Sequence, residues 1–165
     1  MFFGKKIKKW EKYTSKKENF SILFPFEVKR QFFGYFSDDG LSPGSVLYGA
    51  QSNRIFSNKP VYQVAVTRVK EYYGEEKDFL ETALNEFVKS VNSADSAKLE
   101  SSDFIKFNNL NAIKYSIDIL KIYKITGIIF LSVNTVYNIS VLFDSKNEND
   151  FEKFVNSFSL KKATW

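Results

Sequence analysis

Carboxylates, lysines and serines are what this chain offers for chemistry, because histidine and cysteine are both absent from its 165 residues. Their absence removes the commonest general base and metal ligand. It also removes thiolate nucleophiles, disulfides and cysteine-based metal sites. Ser-His-Asp, Cys-His and His-zinc chemistries are thus excluded by composition. The remaining acids cluster where turns and a helix start are expected, so solubility and capping explain them before a glycosidase-like carboxylate pair does. Asp38-Asp39-Gly40 lacks the spaced ligands and distal glutamate of an EF-hand loop, and an acidic turn accounts for it. For a Ser-Lys dyad no S-x-x-K lies in a site-like context, and Ser15-Lys16 and Ser159-Leu160-Lys161 are unremarkable. No G-x-x-x-x-G-K or G-x-G-x-x-G phosphate loop occurs. Asn138-Ile139-Ser140 matches the glycosylation sequon but falls within an expected strand, so it reads as chance. No catalytic residue, metal site or cofactor is assigned, and the chain is not expected to be an enzyme.

Two segments remain as candidates for function. Gly34–Ser45 is a long loop rich in Gly, Ser and Asp, and loops of that length in compact domains are often functional; Tyr35, Asp38 and Asp39 are its candidate residues. The other is the N-terminus. Residues 1–17 hold seven lysines against one acid, Glu11, a local charge of +6, so the rest of the chain carries −1 of the total +5. The expected division is therefore a basic tail, residues 1–17, followed by a single near-neutral domain, residues 18–165. On a helix, Phe3, Ile7 and Trp10 would share one face, with Lys5, Lys6, Lys8, Lys9 and Lys12 elsewhere, the pattern of a basic amphipathic helix on an anionic membrane. Helices shorter than about 12–15 residues are marginal on their own. The simpler expectation is a solvated tail with Trp10 and Tyr13 tucked onto the domain.

The elements that must carry these segments follow from periodicity. Phe20–Pro25 reads as a first strand and Val28–Phe33 as a second, with Val46–Ala50 a weak third. In Val61–Lys70, Tyr62, Val64 and Val66 share one face. Glu75–Val91 is the clearest helix, with Phe79, Leu80, Ala83, Leu84, Phe87, Val88 and Val91 forming a broad apolar stripe. Its acids Glu75, Glu76 and Asp78 oppose the positive helix end, and Lys89 lies in the last turn. Leu99–Phe107 is the next strand. Ala112–Leu120 alternates, with Ile113, Tyr115, Ile117 and Ile119 on the dry side. Tyr123–Asn134 is apolar on both faces and belongs inside the sheet. Val136–Phe143 alternates again. Ser145-Lys146-Asn147-Glu148 has capping-box spacing before a helix whose Phe151, Phe154, Val155 and Phe158 share a face. Strands, helix, strands, helix in that order predict an α+β fold, an antiparallel β-sheet with helices packed on it. Aromatics make up 18% of the residues, and each buried ring removes about 150–250 Å² from water. A large core needs no disulfide or metal.

Several segments, taken in order, resemble the PsbP-like family, the domain of a photosystem accessory protein and of many bacterial proteins of unassigned function. Trp10, Tyr13 and Ser15 followed by Phe20-Ser21-Ile22-Leu23-Phe24-Pro25 resemble its opening pattern. Leu110–Tyr115 resembles the mid-chain strand entry, where relatives often carry glycine at the place of Asn111. Val136–Val141 resembles the last long strand, and Phe151–Phe158 the closing helix. The resemblance implies an α/β/α sandwich with helices on both faces of the sheet. It also implies a mainly protein-binding role, since the fold is shared with a Ran-binding nuclear-transport factor, lipoproteins and secretion-chaperone domains. Metal positions described in photosynthetic members often involve histidine, so no functional residue carries over to this chain.

The expected function is a non-enzymatic binding or accessory domain at a membrane surface or on another protein. Its alternatives are a secretion-chaperone-like interaction domain and a carboxylate- or Ser-Lys-dependent enzyme near Gly34–Ser45. The expected partner is a protein, with an anionic membrane surface as the second candidate. Nucleic acid is not expected, because the body is neutral and its aromatics follow core periodicities. The longest apolar stretch, residues 125–133, is short of the roughly 20 needed for a spanning helix. Met1–Gly4 runs into lysines without an apolar leader core. The expected location is extracytoplasmic or membrane-peripheral if a leader has been removed, and cytoplasmic otherwise.

Overall fold

The computed structural model describes residues 6–33, 45–50, 59–69, 74–92, 96–146 and 149–161. Among them the chain runs β1 (Lys6–Ser15), β2 (Phe20–Phe26), β3 (Val28–Phe33), β4 (Ser45–Ala50), β5 (Val61–Arg68), α1 (Glu76–Val91), β6 (Ala97–Phe107), β7 (Leu110–Ile119), β8 (Tyr123–Ser132), β9 (Thr135–Asp144), α2 (Phe151–Asn156) and β10 (Ser159–Leu160). Two antiparallel sheets form, one of seven strands in the order β3-β4-β5-β9-β8-β7-β6 and one of three in the order β1-β2-β10. Strands dominate, as β-branched and aromatic residues favour.

Side-chain alternation sorts the large sheet into two apolar clusters. Tyr62, Val64 and Val66 of β5, Tyr137, Ile139 and Val141 of β9, and Ile128 and Phe130 of β8 join one cluster, together with β2 and α2. Ile113, Tyr115 and Ile117 of β7, Ile125, Ile129 and Leu131 of β8, and Leu80 and Leu84 of α1 make the other. Strand β8 contributes to both, as its two-sided apolar pattern requires. The α1 helix keeps Glu76 and Asp78 in its first turn and Lys89 in its last. Beyond it, the Asn92 side chain accepts a hydrogen bond from the Ala97 amide at 2.9 Å, tying the helix end to β6.

Three expectations need correction. Residues 6–15 are neither a helix nor a free tail: they form β1, with Glu11–Ser15 paired to Phe20–Phe24 and a register shift between Lys6 and Glu11. The domain therefore begins before residue 18. Lysine content hid this strand, and the bulge breaks the period-two pattern that would have revealed it. Second, the helix expected after Ser145 begins later, and Asn147 and Glu148 of the capping-box spacing lie outside the described residues. The α2 helix starts at Phe151, whose amide donates a hydrogen bond to Asn149 Oδ1. Third, β8 stops at Ser132 because Val133 and Asn134 take φ of 44° and 57° and turn the chain into β9. The β6–β7 turn at Asn108-Asn109 and the β7–β8 turn at Leu120-Lys121 also have two positive φ values each, the requirement of a tight hairpin of the primed type.

Candidate functional site

Among the described residues, a polar site lies where three chain segments meet: the β1–β2 turn, the end of β5 and the tip of the β8–β9 hairpin. They surround an open, polar-lined cleft of about 340 Å³. Glu18 is its buried acid, with a side chain only 4% exposed. The turn fixes it from three directions. Its amide donates to Ser15 Oγ at 3.1 Å, and its carbonyl accepts from the Tyr137 hydroxyl at 2.7 Å. The carboxylate faces Arg68 Nη2 at 3.4 Å. Arg68 ends β5 on the same sheet face as Val66, which pairs with Tyr137 across the ladder. The same Nη2 also donates to the Lys17 carbonyl at 3.2 Å. Burial pushes the Tyr137 phenol up to about 12, with the Glu18 charge adding to the shift and Arg68 opposing it.

A hydrogen-bonded chain continues behind this turn. Ser15 Oγ meets the Tyr48 hydroxyl at 3.1 Å, which also accepts from Arg30 Nε at 3.2 Å. The Ser15 hydroxyl is thus a structural link between turn and sheet. Ser159, the other serine weighed for a dyad, bonds Ser21 at 2.8 Å and pins β10 to β2.

The residues singled out from sequence fare differently. Phe3, Lys5, Tyr35, Asp38 and Asp39 lie outside the described residues, as does 34–44, the loop considered for an enzyme site. Lys6, Ile7, Lys8 and Lys9 lie in β1, so the helical face drawn through Ile7 and Trp10 does not form. Trp10 packs edge-on against Tyr62 with ring centres 5.4 Å apart, and Lys153 Nζ sits 4.5 Å over its ring. Tyr13 meets Tyr48 at 5.4 Å and Phe24 at 6.1 Å. Both rings are tucked onto the domain as expected, while Lys12, Lys16 and Lys17 stay exposed. Asn138 and Ser140 of the sequon are buried in β9, where Asn138 accepts from Tyr115. Glu18, Arg68 and Tyr137 escaped the sequence reading. No short-range motif joins them, although a lone glutamate directly before the apolar β2 was a usable hint. Among the described residues no group of three or more acidic side chains could hold a metal, and no helix is long and apolar enough to cross a membrane.

Two packed sheets with α1 against one apolar cluster of the large sheet and α2 against the other define the fold class, which is PsbP-like. The chain is similar to the solution structure of cyanobacterial PsbP (CyanoP) from Synechocystis sp. PCC 6803. The TM-score is 0.64 at 12% identity, over 93% of this chain and 94% of that one. No protein-family model and no curated protein matches the sequence.

Proposed function

We propose that this chain is a non-enzymatic accessory domain of the PsbP-like type that docks an acidic surface of a partner protein along β1 and its turn. The reading is carried by a split within one segment: Trp10 and Tyr13 turn into the aromatic cluster while Lys12, Lys16 and Lys17 face solvent. The β1–β2 ladder holds Lys12 and the short turn that follows holds Lys16 and Lys17, so binding need not order them first. Lysines on an edge strand also discourage edge-to-edge pairing, and both uses can operate together. Opposite charge across an interface chiefly speeds encounter and selects the partner. The fold shared with CyanoP supports an accessory role, and the structural duties of Ser15, Ser159 and Glu18 weigh against catalysis by them. We read the architecture as an α/β/α sandwich, supported by the membership of α1 and α2 in opposite clusters. The membrane alternative loses its amphipathic-helix route, because Trp10 packs on Tyr62.

The test is binding of the full chain to a poly-glutamate peptide and, separately, to phosphatidylserine vesicles at low and high salt. Peptide binding should weaken with salt, and Lys12→Glu with Lys16→Glu should weaken it by about tenfold or more, with little change in Tm. Binding to vesicles but not to peptide would replace the protein partner by a membrane. No salt-sensitive binding to either would end the proposal.

A further inference from the structure

We propose that the cleft beside Glu18 is a receptor for a single oxyanion group, a carboxylate or a phosphate, seated on Arg68. This goes beyond the β1 reading: the two share Lys17, but the cleft stands on Arg68 of β5 and on a small ligand. The first observation is how Arg68 is held. Both of its hydrogen bonds, to the Lys17 carbonyl and to the Glu18 carboxylate, use one nitrogen, Nη2. A guanidinium carries five N–H donors in a planar fork. No other hydrogen bond from Arg68 forms among the described residues, and its side chain is 56% exposed at the cleft. The group is thus fixed at one corner and open along the rest, the arrangement in which a bidentate oxyanion gains most, because the fork is oriented before the ligand arrives.

The second observation is the long contact with Glu18. At 3.4 Å from a single nitrogen it is not a short bidentate pair. The carboxylate sits behind the guanidinium, buried, and sets its direction without occupying its outer face. Lys17 lines the same cleft, and among the described lining residues two cations face one carboxylate, a net charge of +1. Asn19 and Asn134 add side-chain amides to the lining. The third observation is strain at the rim. Val133 is β-branched, holds φ at 44° and is 87% exposed. A β-branched residue in that region is costly, and such strain clusters at ligand sites.

The experiment is an NMR titration of the isotope-labelled full chain with inorganic phosphate and with acetate, at constant ionic strength in chloride. It follows the Arg68 Nε–H and the amides of Asn19, Val133 and Asn134. Saturable shifts confined to the cleft are expected with at least one ion. A response to phosphate alone assigns a tetrahedral ligand, and to acetate alone a planar one. Arg68→Gln should weaken binding by about tenfold or more, with Arg68→Lys intermediate, since lysine keeps the charge but not the fork. Glu18→Gln should tighten binding by about threefold or more, because the local charge rises from +1 to +2. A purely structural ion pair gives no such gain. Lys98→Gln, on the exposed β6, serves as the control for net charge. The proposal fails if neither ion gives saturable shifts or if Lys98→Gln matches the loss in Arg68→Gln. It also fails if Glu18→Gln, folded by near-UV circular dichroism, binds no tighter.

Discussion

The two apolar clusters of this protein are built from different materials. The cluster joining β2, α2 and part of the large sheet is dominated by rings, among them Phe20, Phe24, Tyr48, Tyr62, Phe130, Tyr137, Phe154 and Phe158. Under α1, the buried members of the second cluster are aliphatic except for Tyr115, with Phe79 and Phe87 of the helix packed against them. On the aromatic side, rings stack and cross: Phe130 on Tyr137 at 5.3 Å, Phe20 on Phe158 at 5.7 Å, Phe24 against Phe154 at 5.1 Å. Three of its tyrosines reach outward with their hydroxyls, Tyr137 to the Glu18 carbonyl, Tyr48 to Ser15 and Tyr62 to the Asp150 amide. Rings with a polar end let one cluster be dry at its centre and hydrogen-bonded at its rim. That is why the Glu18–Arg68 cleft borders the aromatic side. The aliphatic side has few such handles and serves to seat a helix.

The largest effects test this contrast in the cores themselves. Phe154→Ala should cost about 3–5 kcal/mol in urea unfolding, because the ring is fully buried between Phe24 and Tyr62. Leu84→Ala on the other side should cost about 2–5 kcal/mol, without disturbing the Trp10 fluorescence that reports on the aromatic cluster. Equal fluorescence changes in both variants would mean the clusters are not separate.

Next in size is Gly127→Ala. Gly127 pairs with Tyr115 across β7 and β8, and the Tyr115 ring lies over it. An added methyl would meet the Tyr115 hydroxyl and stand 2.9 Å from the Ile139 carbonyl. The expected cost is about 1–3 kcal/mol. Tyr115→Phe in the same chain should recover part of it, a coupling that a double-mutant cycle measures.

Smaller still is Tyr137→Phe, which removes one buried hydrogen bond and should cost about 1 kcal/mol at neutral pH. Its pH signature is sharper. The folded phenol titrates near 12, above its unfolded value of 10.0. Between those values the folded state holds the proton that the unfolded state has lost, so stability is full below pH 10 and falls as pH rises toward 12. Burial raises Tyr115 in the same direction, so Tyr137→Phe should make the alkaline loss shallower without abolishing it. A curve unchanged by the substitution would place the Tyr137 hydroxyl in solvent. The smallest effect is expected at the rim, where Glu152→Gln removes an exposed partner of Lys114 and should change stability by about 0–1 kcal/mol.

Much of the large sheet was legible because one-sided strands alternate. Tyr62, Val64 and Val66 in β5 and Ile113, Tyr115 and Ile117 in β7 announce both strand and buried face. The α1 stripe is equally plain, since its apolar residues follow the helical period. What stayed hidden has physical reasons. Lysines gave β1 the composition of a tail, and its bulge let Trp10 and Tyr13 reach the core without simple alternation. The β8–β9 turn uses Val133 and Asn134, with no glycine to mark it, so the apolar pattern runs two residues past the end of the strand. The cleft could not be read at all: Glu18 lies 50 positions from Arg68 and 119 from Tyr137, and only the ladder of β5 on β9 brings them together.

The docking surface requires β1 to be a paired strand of the aromatic side, with Lys12 on its ladder and Lys16 and Lys17 in the turn that follows. Native-state amide hydrogen exchange along Glu11–Ser15 tests this directly. Protection comparable to that of the partner residues Phe20–Phe24 is the predicted result. Exchange at the rate of an unstructured chain in Glu11–Ser15, with β2 still protected, would contradict it.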